Sequence, residues 1–458
     1  MSEVVVAENK MGTMPIKKLV INMSLPIMVA NLVQACYNIV DSIFVSRIDE
    51  KALTAVSMAF PVQMLLVALG IGTGVGINAL LSKSLGAGDR KQASLAACNG
   101  IFMSYVCYAL FLIFGLTGVG IYYRSQTEDA IIIEYGCQYL KWVCCLSIGL
   151  YSQFVFERLL QSTGLTMYTM ITQSIGAIIN IIMDPILIFG LLGAPKLGVS
   201  GAAIATVFGQ TVASVIAIIL NIRKNKEIDI SFKGFKPSLS IISKIYAVGL
   251  PSIIMQAIGS VMNYGMNLIL IGFSSTAVAV FGVYYKLQSF VFMPVFGLNG
   301  GMVPVVAYNY GARNRKRLVK TVKLSMLYAL IIMSVGTVIF ELFPQQLFSI
   351  FDASENMIGM GATALRIICV HFPVAAICII SGSMFQALGN GVYSMVVSIC
   401  RQLIVLLPAA YLLSLSGNVA AVWWAFPIAE VMSLLMTSVF LIRINKTIVS
   451  KLPDGAAV

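Results

Sequence analysis

The chain has 458 residues, of which 59% are hydrophobic and only 10% are charged, and its mean hydropathy is +0.92. An ordinary soluble domain carries about 25% charged residues, so a water-soluble protein is excluded and the chain belongs in a bilayer. Its formal net charge of +12 fits basic cytoplasmic loops beside anionic lipid, so we expect no nucleic-acid partner.

The hydrophobic runs predict an all-α polytopic membrane protein with about twelve transmembrane helices. A polar tail (1–18) without a cleavable signal pattern precedes the first of them. In chain order, the predicted spans are 19–45, 52–82, 92–122, 130–156, 166–192, 200–222, 240–271, 277–307, 318–343, 357–387, 392–414 and 418–442. The GIGTGVG motif (70–76) falls in the middle of the second span, which indicates packing of small residues between helices rather than a phosphate-binding loop.

The lysines and arginines predict the orientation of these spans. Most lie in the two tails and in the loops that follow even-numbered spans, whereas the opposite side carries only Arg47, Lys51, Arg124 and Lys196. Because basic loops stay cytoplasmic, both termini are predicted to be cytoplasmic.

The sequence also repeats itself at an offset of 225 residues. SLPIM (24–28) recurs as GLPSI (249–253), and GAGDRK (86–91) recurs as GARNRK (311–316). Both basic loops face the same side, so the repeat is parallel: an N-lobe (19–222), a cytoplasmic linker (223–239), a C-lobe (240–442) and a cytoplasmic C-terminal tail (443–458). Two six-helix lobes related by pseudo-two-fold symmetry suit alternating access; a duplicated channel or enzyme scaffold is the alternative.

Polar residues inside spans are costly and therefore suggest function. The first span has four of them on one helical face, and the fifth span has an amide and a carboxylate one turn apart. These residues are Asn31, Gln34, Asn38 and Asp41, then Asn180 and Asp184. Two carboxylates with neighbouring amides offer oxygen atoms to a hard cation or a shared proton. The alternative is that each aspartate only holds helices together, and Thr206 on the sixth span either adds a hydroxyl ligand or bonds its own backbone.

The second lobe keeps the polar stripe but loses its charge, since Met266 stands where the first lobe has Asp41. We therefore expect cation coupling at Asp41, Asp184, Asn180, Asn38 and Thr206. The substrate pathway is expected to involve Asn31, Gln34, Tyr37, Gln256, Asn263 and Gln288.

Other charges inside spans are interpreted individually. Arg401 and Glu430 are expected to pair, and the single histidine, His371, is expected to be hydrogen-bonded rather than to relay protons. Lys286 and Arg366, if they face the pathway, would repel a cation or bind an anion.

Five segments together carry a family resemblance over nearly the whole chain. SLPIMVANLVQACYNIVDSIFV, LGAGDRK, NIIMDPILIFG, GVSGAAIAT and VPVVAYNYGARN are similar to the multidrug and toxic compound extrusion (MATE) family, in particular its MepA-like branch. The resemblance implies a twelve-helix exporter that exchanges H⁺ or Na⁺ for drugs, often organic cations. In family members with a cation site in the first lobe, the residues of that site correspond to Asp41, Asn180 and Asp184 of this chain. The resemblance implies that these three would be metal ligands only if the coupling ion is Na⁺. The family's sixth-helix threonine corresponds to Thr206 only approximately. The sequence departs from the family branch with acids in the seventh and tenth helices.

The leading hypothesis is therefore cation-coupled antiport of amphipathic drugs across the cell membrane. We expect the transporter to be a monomer, to use no cofactor and not to be an enzyme. The alternative is a lipid-linked oligosaccharide flippase, in which Lys286 and Arg366 would hold a pyrophosphate. The sequence shows no nucleophile–base pair that would indicate an intramembrane enzyme. It also shows no nucleotide-binding loop, so transport driven directly by ATP is not expected.

Overall fold

The structure, a computed structural model, describes residues 9–46, 48, 50–351 and 353–454, and for residues 38, 39, 42, 43, 46, 50 and 53 it describes the backbone only. The regular elements of these residues are helices. The α-helices are α1 (Lys10–Thr13), α2 (Ile16–Ser46), α3 (Glu50–Gly86), α4 (Arg90–Thr117), α5 (Val119–Gln126), α6 (Ala130–Cys145), α7 (Ile148–Ser162), α8 (Thr166–Phe189), α9 (Val199–Lys224), α10 (Leu239–Ile271), α11 (Ser275–Gly311), α12 (Arg315–Leu342), α13 (Pro344–Ser349), α14 (Glu355–Cys369), α15 (Phe372–Ala387), α16 (Gly391–Ile399), α17 (Leu407–Ser414), α18 (Val419–Trp423) and α19 (Ala425–Thr447). A π-helix (Cys400–Leu406) joins α16 to α17.

Ten helical segments among the described residues are long and apolar enough to cross a membrane. Two further spans are bent pairs: α6 and α7 meet at 42°, and α14 and α15 meet at 50°. Counting each pair as one span gives twelve, so the prediction of about twelve membrane helices is confirmed.

The two bends change the predicted spans 130–156 and 357–387, which are helix pairs rather than single helices. At the second bend, Pro373 has no backbone N–H to donate to the Cys369 carbonyl one turn earlier. The hydroxyl of Thr337 on α12 shares its one hydrogen between that carbonyl, at 3.1 Å, and the Met333 carbonyl of its own helix, at 3.0 Å. At the first bend, the Ser147 hydroxyl bonds the Cys144 carbonyl at 2.8 Å, a local bond that competes with the helix ladder.

The internal repeat is visible in the helix ends. Shifting α3 by 225 residues gives the bounds of α11, and shifting α4 gives those of α12. The caps agree as well: Asp89 accepts a hydrogen bond from the Gln92 N–H at 2.8 Å, and Asn314 accepts one from the Arg317 N–H at 3.1 Å. The duplication therefore preserves backbone geometry as well as sequence.

The chain forms two compact units: an N-terminal unit (Val29–Ile253) and a C-terminal unit (Met1–Met28 with Ile254–Val458). The divisions fall inside α2 and α10, at positions that are equivalent in the repeat. The lobe bounds at 19–222 and 240–442 stay a prediction.

In the N-terminal unit, α3 lies against the first part of α10 through glycines. A Cβ atom at Gly76 would lie 2.1 Å from the carbonyl oxygen of Ile245, and one at Gly72 would lie 2.8 Å from that of Gly249. The predicted small-residue packing of the GIGTGVG motif is thereby confirmed. The apolar core of this unit includes Leu66.

The C-terminal unit has the equivalent contact between α11 and the first part of α2. A Cβ atom at Gly297 would lie 2.6 Å from the Cα of Met28, and one at Gly301 would lie 2.4 Å from the Ser24 hydroxyl oxygen. Ser24 in turn donates to the carbonyl of Leu298 at 3.2 Å. Close helix contact at glycine is thus a shared feature of both units.

Candidate cation site

Asp41 on α2 and Asp184 on α8 come together inside the N-terminal unit. Asp184 is fully buried, Asp41 is partly buried, and their carboxyl groups lie within hydrogen-bonding reach of each other. An ionised carboxylate can only accept hydrogen bonds, so two of them in contact need a proton or a metal cation between them. The other oxygen of Asp41, Oδ1, is buried and has no hydrogen-bond partner among the described residues.

Asn180 and Thr206 join this pair. With its amide oriented to satisfy both neighbours, Asn180 donates to Asp184 Oδ2 at 3.2 Å and accepts from the Thr206 backbone N–H at 3.1 Å and hydroxyl at 3.2 Å. The one-turn spacing of Asn180 and Asp184 places both on one face of α8. The alternative in which the Thr206 hydroxyl bonds only its own backbone does not hold.

Glycines explain why Thr206 reaches Asn180. A Cβ atom at Gly209 on α9 would lie 2.6 Å from the Gly176 carbonyl oxygen on α8 and 3.3 Å from the Asn180 Cβ. Only glycine allows the two helix backbones to approach so closely. This close contact lets the side chains of Thr206 and Asn180 meet.

Two tyrosines adjoin the carboxyl groups. Tyr37 lies near both aspartates and within hydrogen-bonding reach of the Gln34 side chain, and Tyr139 on α6 lies near Asp41. The Gln63 amide on α3 donates to the Tyr139 hydroxyl at 2.9 Å. Tyr139 and Gln63 are not among the residues predicted for the cation site, because contact between helices distant in sequence leaves no local spacing signal.

The remaining predicted residues have simpler surroundings. Asn31 is half-buried on α2, and the side chain of Asn38 lies outside the described residues. In the C-terminal unit, Gln256 is exposed, Asn263 and Gln288 are half-buried, and Met266 is fully buried in the apolar core. The equivalent of Asp41 is therefore a core methionine, which agrees with a cation site confined to the first repeat.

Among the charges inside spans, Arg401 and Glu430 form the expected ion pair, with Nη1 and Oε2 3.2 Å apart. His371 is buried and its Nδ1 contacts the Ile368 carbonyl, as predicted for a hydrogen-bonded histidine. Lys286 and Arg366 have exposed side chains, and the Lys286 ammonium lies 5.9 Å from the centre of the Phe351 ring.

One buried carboxylate was missed by the sequence analysis. Glu157 on α7 is 2% exposed and accepts hydrogen bonds from Gln153 at 3.0 Å, Thr172 at 2.8 Å and Gln173 at 2.7 Å. Both carboxylate oxygens are engaged, so Glu157 ties α7 to α8. It follows directly after the predicted span 130–156, so it was not counted among the polar residues inside spans.

The carboxyl oxygens of Asp41 and Asp184 are the ligands available at this site, because Asn180 turns its amide nitrogen toward Asp184 and its oxygen toward Thr206. No group of three or more histidine, cysteine, aspartate or glutamate side chains that could hold a metal ion occurs in the described part of the chain. Two carboxyl groups in contact, held by polar side chains, suit a proton or Na⁺.

A polytopic bundle built from two repeats, with a buried carboxyl pair in one of them, defines a membrane transporter. The profile of the MatE family matches residues 26–186 and 251–412, so the chain belongs to the MatE family. Members of this family are transporters and not enzymes, and the expected MATE-like fold is confirmed.

Individual relatives agree with this assignment. The chain is 27% identical to the multidrug export protein MepA of Staphylococcus aureus, covering 96% of this chain and 97% of the relative. It is also 27% identical to an FAD transporter of Shewanella oneidensis, covering 91% and 92%. A solved outward-facing structure of a multidrug resistance MATE transporter matches with a TM-score of 0.91 and 26% identity, covering 97% of this chain and 99% of that one.

Proposed function

We propose that this protein is a secondary active exporter that exchanges a monovalent cation, H⁺ or Na⁺, for amphipathic and often cationic drugs. The observation that carries the proposal is the contact between the carboxyl groups of Asp41 and Asp184 inside the N-terminal unit. The pair is stable only with a positive charge between its members, so occupancy by a cation changes the local free energy of the unit. The MepA relatives support drugs as the exported class.

Coupling follows from differential affinity. If the state that binds drug disfavours the cation, and the state that binds the cation disfavours drug, each ligand drives release of the other. Asn180 and Thr206 fix the position of the Asp184 carboxyl, so we assign them positioning roles. The exporter is proposed to work as a monomer in the cell membrane with both termini cytoplasmic, which the distribution of lysine and arginine supports.

The test is ethidium efflux from proteoliposomes with pH and sodium gradients imposed independently. Asp184→Asn and Asp41→Asn are expected to abolish gradient-driven efflux, because an amide takes up no proton and contributes no charge to hold Na⁺. The matched control is Glu227→Gln, which removes a half-buried carboxylate outside the spans that pairs with Arg90 at 3.2 Å. Gradient-driven efflux at the wild-type rate in Asp184→Asn would refute the assignment, and the gradient that drives the wild type identifies the ion.

A second substrate class has a specific observation in its favour. A relative of comparable identity is named an FAD transporter, and the exposed cations Lys286 and Arg366 suit an anionic, aromatic substrate better than a cationic one. The same proteoliposomes loaded with FAD decide between the classes: FAD transport that is lost in Lys286→Gln with ethidium transport retained would favour the anionic substrate. The comparisons do not favour the lipid-linked oligosaccharide flippase.

A further inference from the structure

The linker between α9 and α10 lies along the first half of α4, inside the N-terminal unit. Near its start, Glu227 pairs with Arg90, the first residue of α4, at 3.2 Å. Near its end, the Ser238 N–H donates to the Asn99 side-chain oxygen on α4 at 2.8 Å. These contacts give the linker a fixed place against α4.

Within the linker, residues 232–235 form a tight turn. The Phe235 N–H donates to the Phe232 carbonyl at 3.1 Å, and Gly234 has a φ of 71°. A positive φ at the third position is what a type II turn requires, and glycine adopts it without strain. The turn brings the Phe232 and Phe235 rings to 5.3 Å from each other, edge to face, and the Phe235 ring lies 6.1 Å from that of Phe102 on α4. The three rings therefore form a row that begins on α4.

The length of α4 sets the depth of this turn in a bilayer. The 28 residues of α4 span about 42 Å, whereas the hydrocarbon layer is about 30 Å thick. The far end of α4 is apolar almost to its last residue, since Leu110, Ile113 and Leu116 are each more than half exposed. The excess of about 12 Å therefore lies at the Arg90 end. Phe102 is about 18 Å from that end along the helix, so it lies inside the hydrocarbon boundary, and the turn packed on it lies at that boundary.

The turn presents an aromatic ring and two cations away from the protein. Phe232 is 48% exposed, and the side chains of Lys233 and Lys236 are exposed and form no ion pair with the described residues. Both carboxylates of the linker, Glu227 and Asp229, precede the turn and lie nearer the start of α4. Exposed apolar groups flanked by basic residues are typical of contact with an anionic lipid surface. Lysine stems can lie along acyl chains while their ammonium groups reach the headgroups.

We propose that residues 232–236 are a binding site for anionic phospholipid. The Phe232 ring lies among the acyl chains next to the headgroups, and the ammonium groups of Lys233 and Lys236 bind the headgroup phosphate. Contact with Phe235 and Phe102 holds the ring at this depth. Lipid binding here is independent of the coupling ion and of the exported substrate.

Photo-crosslinking of the purified protein in lipid vesicles tests this. Benzoylphenylalanine is placed at Phe232, and the vesicles contain phosphatidylcholine with a minor fraction of phosphatidylglycerol whose acyl chains are deuterated, so the mass of the intact protein identifies each adduct. We expect lipid adducts in which phosphatidylglycerol exceeds its share of the vesicle lipid. The preference should fall about fivefold for each lysine removed, the equivalent of about 1 kcal/mol per basic residue near the surface. The same probe at Leu116, 68% exposed at the opposite end of α4, should give adducts in the bulk ratio.

The lysines are tested by a pair of double variants. Lys233→Gln/Lys236→Gln should abolish the preference for phosphatidylglycerol but keep the lipid adducts, since the ring stays at the same depth. Lys224→Gln/Lys226→Gln is the matched control, because it removes the same charge from exposed positions nearer α9 and should keep the preference. All four side chains are exposed, so folding is expected to be preserved, and circular dichroism verifies it.

Four results would overturn the proposal. The first is a lack of lipid adducts at position 232, including the case in which a mass of two protein chains appears instead. The second is phosphatidylglycerol at its bulk share in the wild-type linker. The third is a preference that Lys233→Gln/Lys236→Gln leaves unchanged. The last is an equal loss of preference in both double variants, which would indicate diffuse attraction by the net charge of the linker rather than a site.

Discussion

The close contact between α3 and α10 makes Gly76 a sensitive position. A methyl group there would lie 2.1 Å from the Ile245 carbonyl oxygen and 2.9 Å from its carbon, whereas ordinary contact begins at 3.4 Å. The obstacle is backbone, which cannot rotate away as a side chain can, so α10 has to move. Overpacking of this kind costs about 1–3 kcal/mol, and the better helix propensity of alanine recovers about 0.5–1 kcal/mol.

Gly76→Ala is therefore expected to lower the free energy of unfolding by about 1–2 kcal/mol. The assay is equilibrium unfolding in mixed dodecyl maltoside and SDS micelles, followed by circular dichroism. Gly282→Ala is the matched control, because Gly282 lies within α11 and a Cβ atom there meets no atom within 4 Å. Equal stability of the two variants would refute the packing argument, whereas Gly301→Ala should behave like Gly76→Ala if both repeats use the same contact.

Two further predictions concern a bend and a loop. Thr337→Val should destabilise the protein by about 1 kcal/mol, because it removes the hydroxyl that bonds the Cys369 carbonyl. The loss should be smaller in a Pro373→Ala background, where a backbone N–H becomes available to that carbonyl. Equal losses in both backgrounds, measured by the same unfolding assay, would contradict this. The Lys51 ammonium, 2.8 Å from Asp129, holds the pKa of that carboxyl below its ordinary value of 3.8. A carboxyl whose pKa is lowered by folding stabilises the folded protein above its ordinary pKa, and this stabilisation is lost as the pH falls through the lowered pKa. The free energy of unfolding of the wild type should therefore exceed that of Asp129→Asn at neutral pH, and the difference should vanish in acid. A difference that is constant with pH would exclude the ion pair as its cause.

Much of the architecture could be predicted because its signals are local or periodic. Long apolar runs indicate spans, and the offset of 225 residues identifies equivalent helices without structural information. The bend between α14 and α15 is different in kind. Pro373 marks a weak point, but the Thr337 hydroxyl that compensates for it comes from a helix more than thirty residues earlier, which no local pattern reveals.

The candidate site shows the same division. The one-turn spacing of Asn180 and Asp184 puts both on one face, so their proximity follows from the sequence alone. The approach of Asp41 to Asp184 depends on how α2 meets α8, and the contact with Thr206 depends on the glycines of α8 and α9. Glu157 was missed for a related reason: two of its hydrogen-bond donors lie on the next helix, so its local context resembles that of an ordinary interfacial glutamate.

The duplication separates the polar chemistry of the two units. The positions of Asp41, Asn180 and Asp184 in the N-terminal unit hold apolar residues in the other unit, whereas Asn38 is matched by Asn263. Conversely, Arg401 and Glu430, which form the buried ion pair of the C-terminal unit, correspond to small residues in the N-terminal unit, where α8 and α9 lie in close contact. Under the same offset, the equivalent pairs are Asp41 and Met266, Asn180 and Val405, Asp184 and Ala409, Gly176 and Arg401, and Ala205 and Glu430. Since a buried charge pair and a close backbone contact exclude each other at one place, the C-terminal unit cannot keep at Arg401 the close helix contact that Gly176 makes in the N-terminal unit.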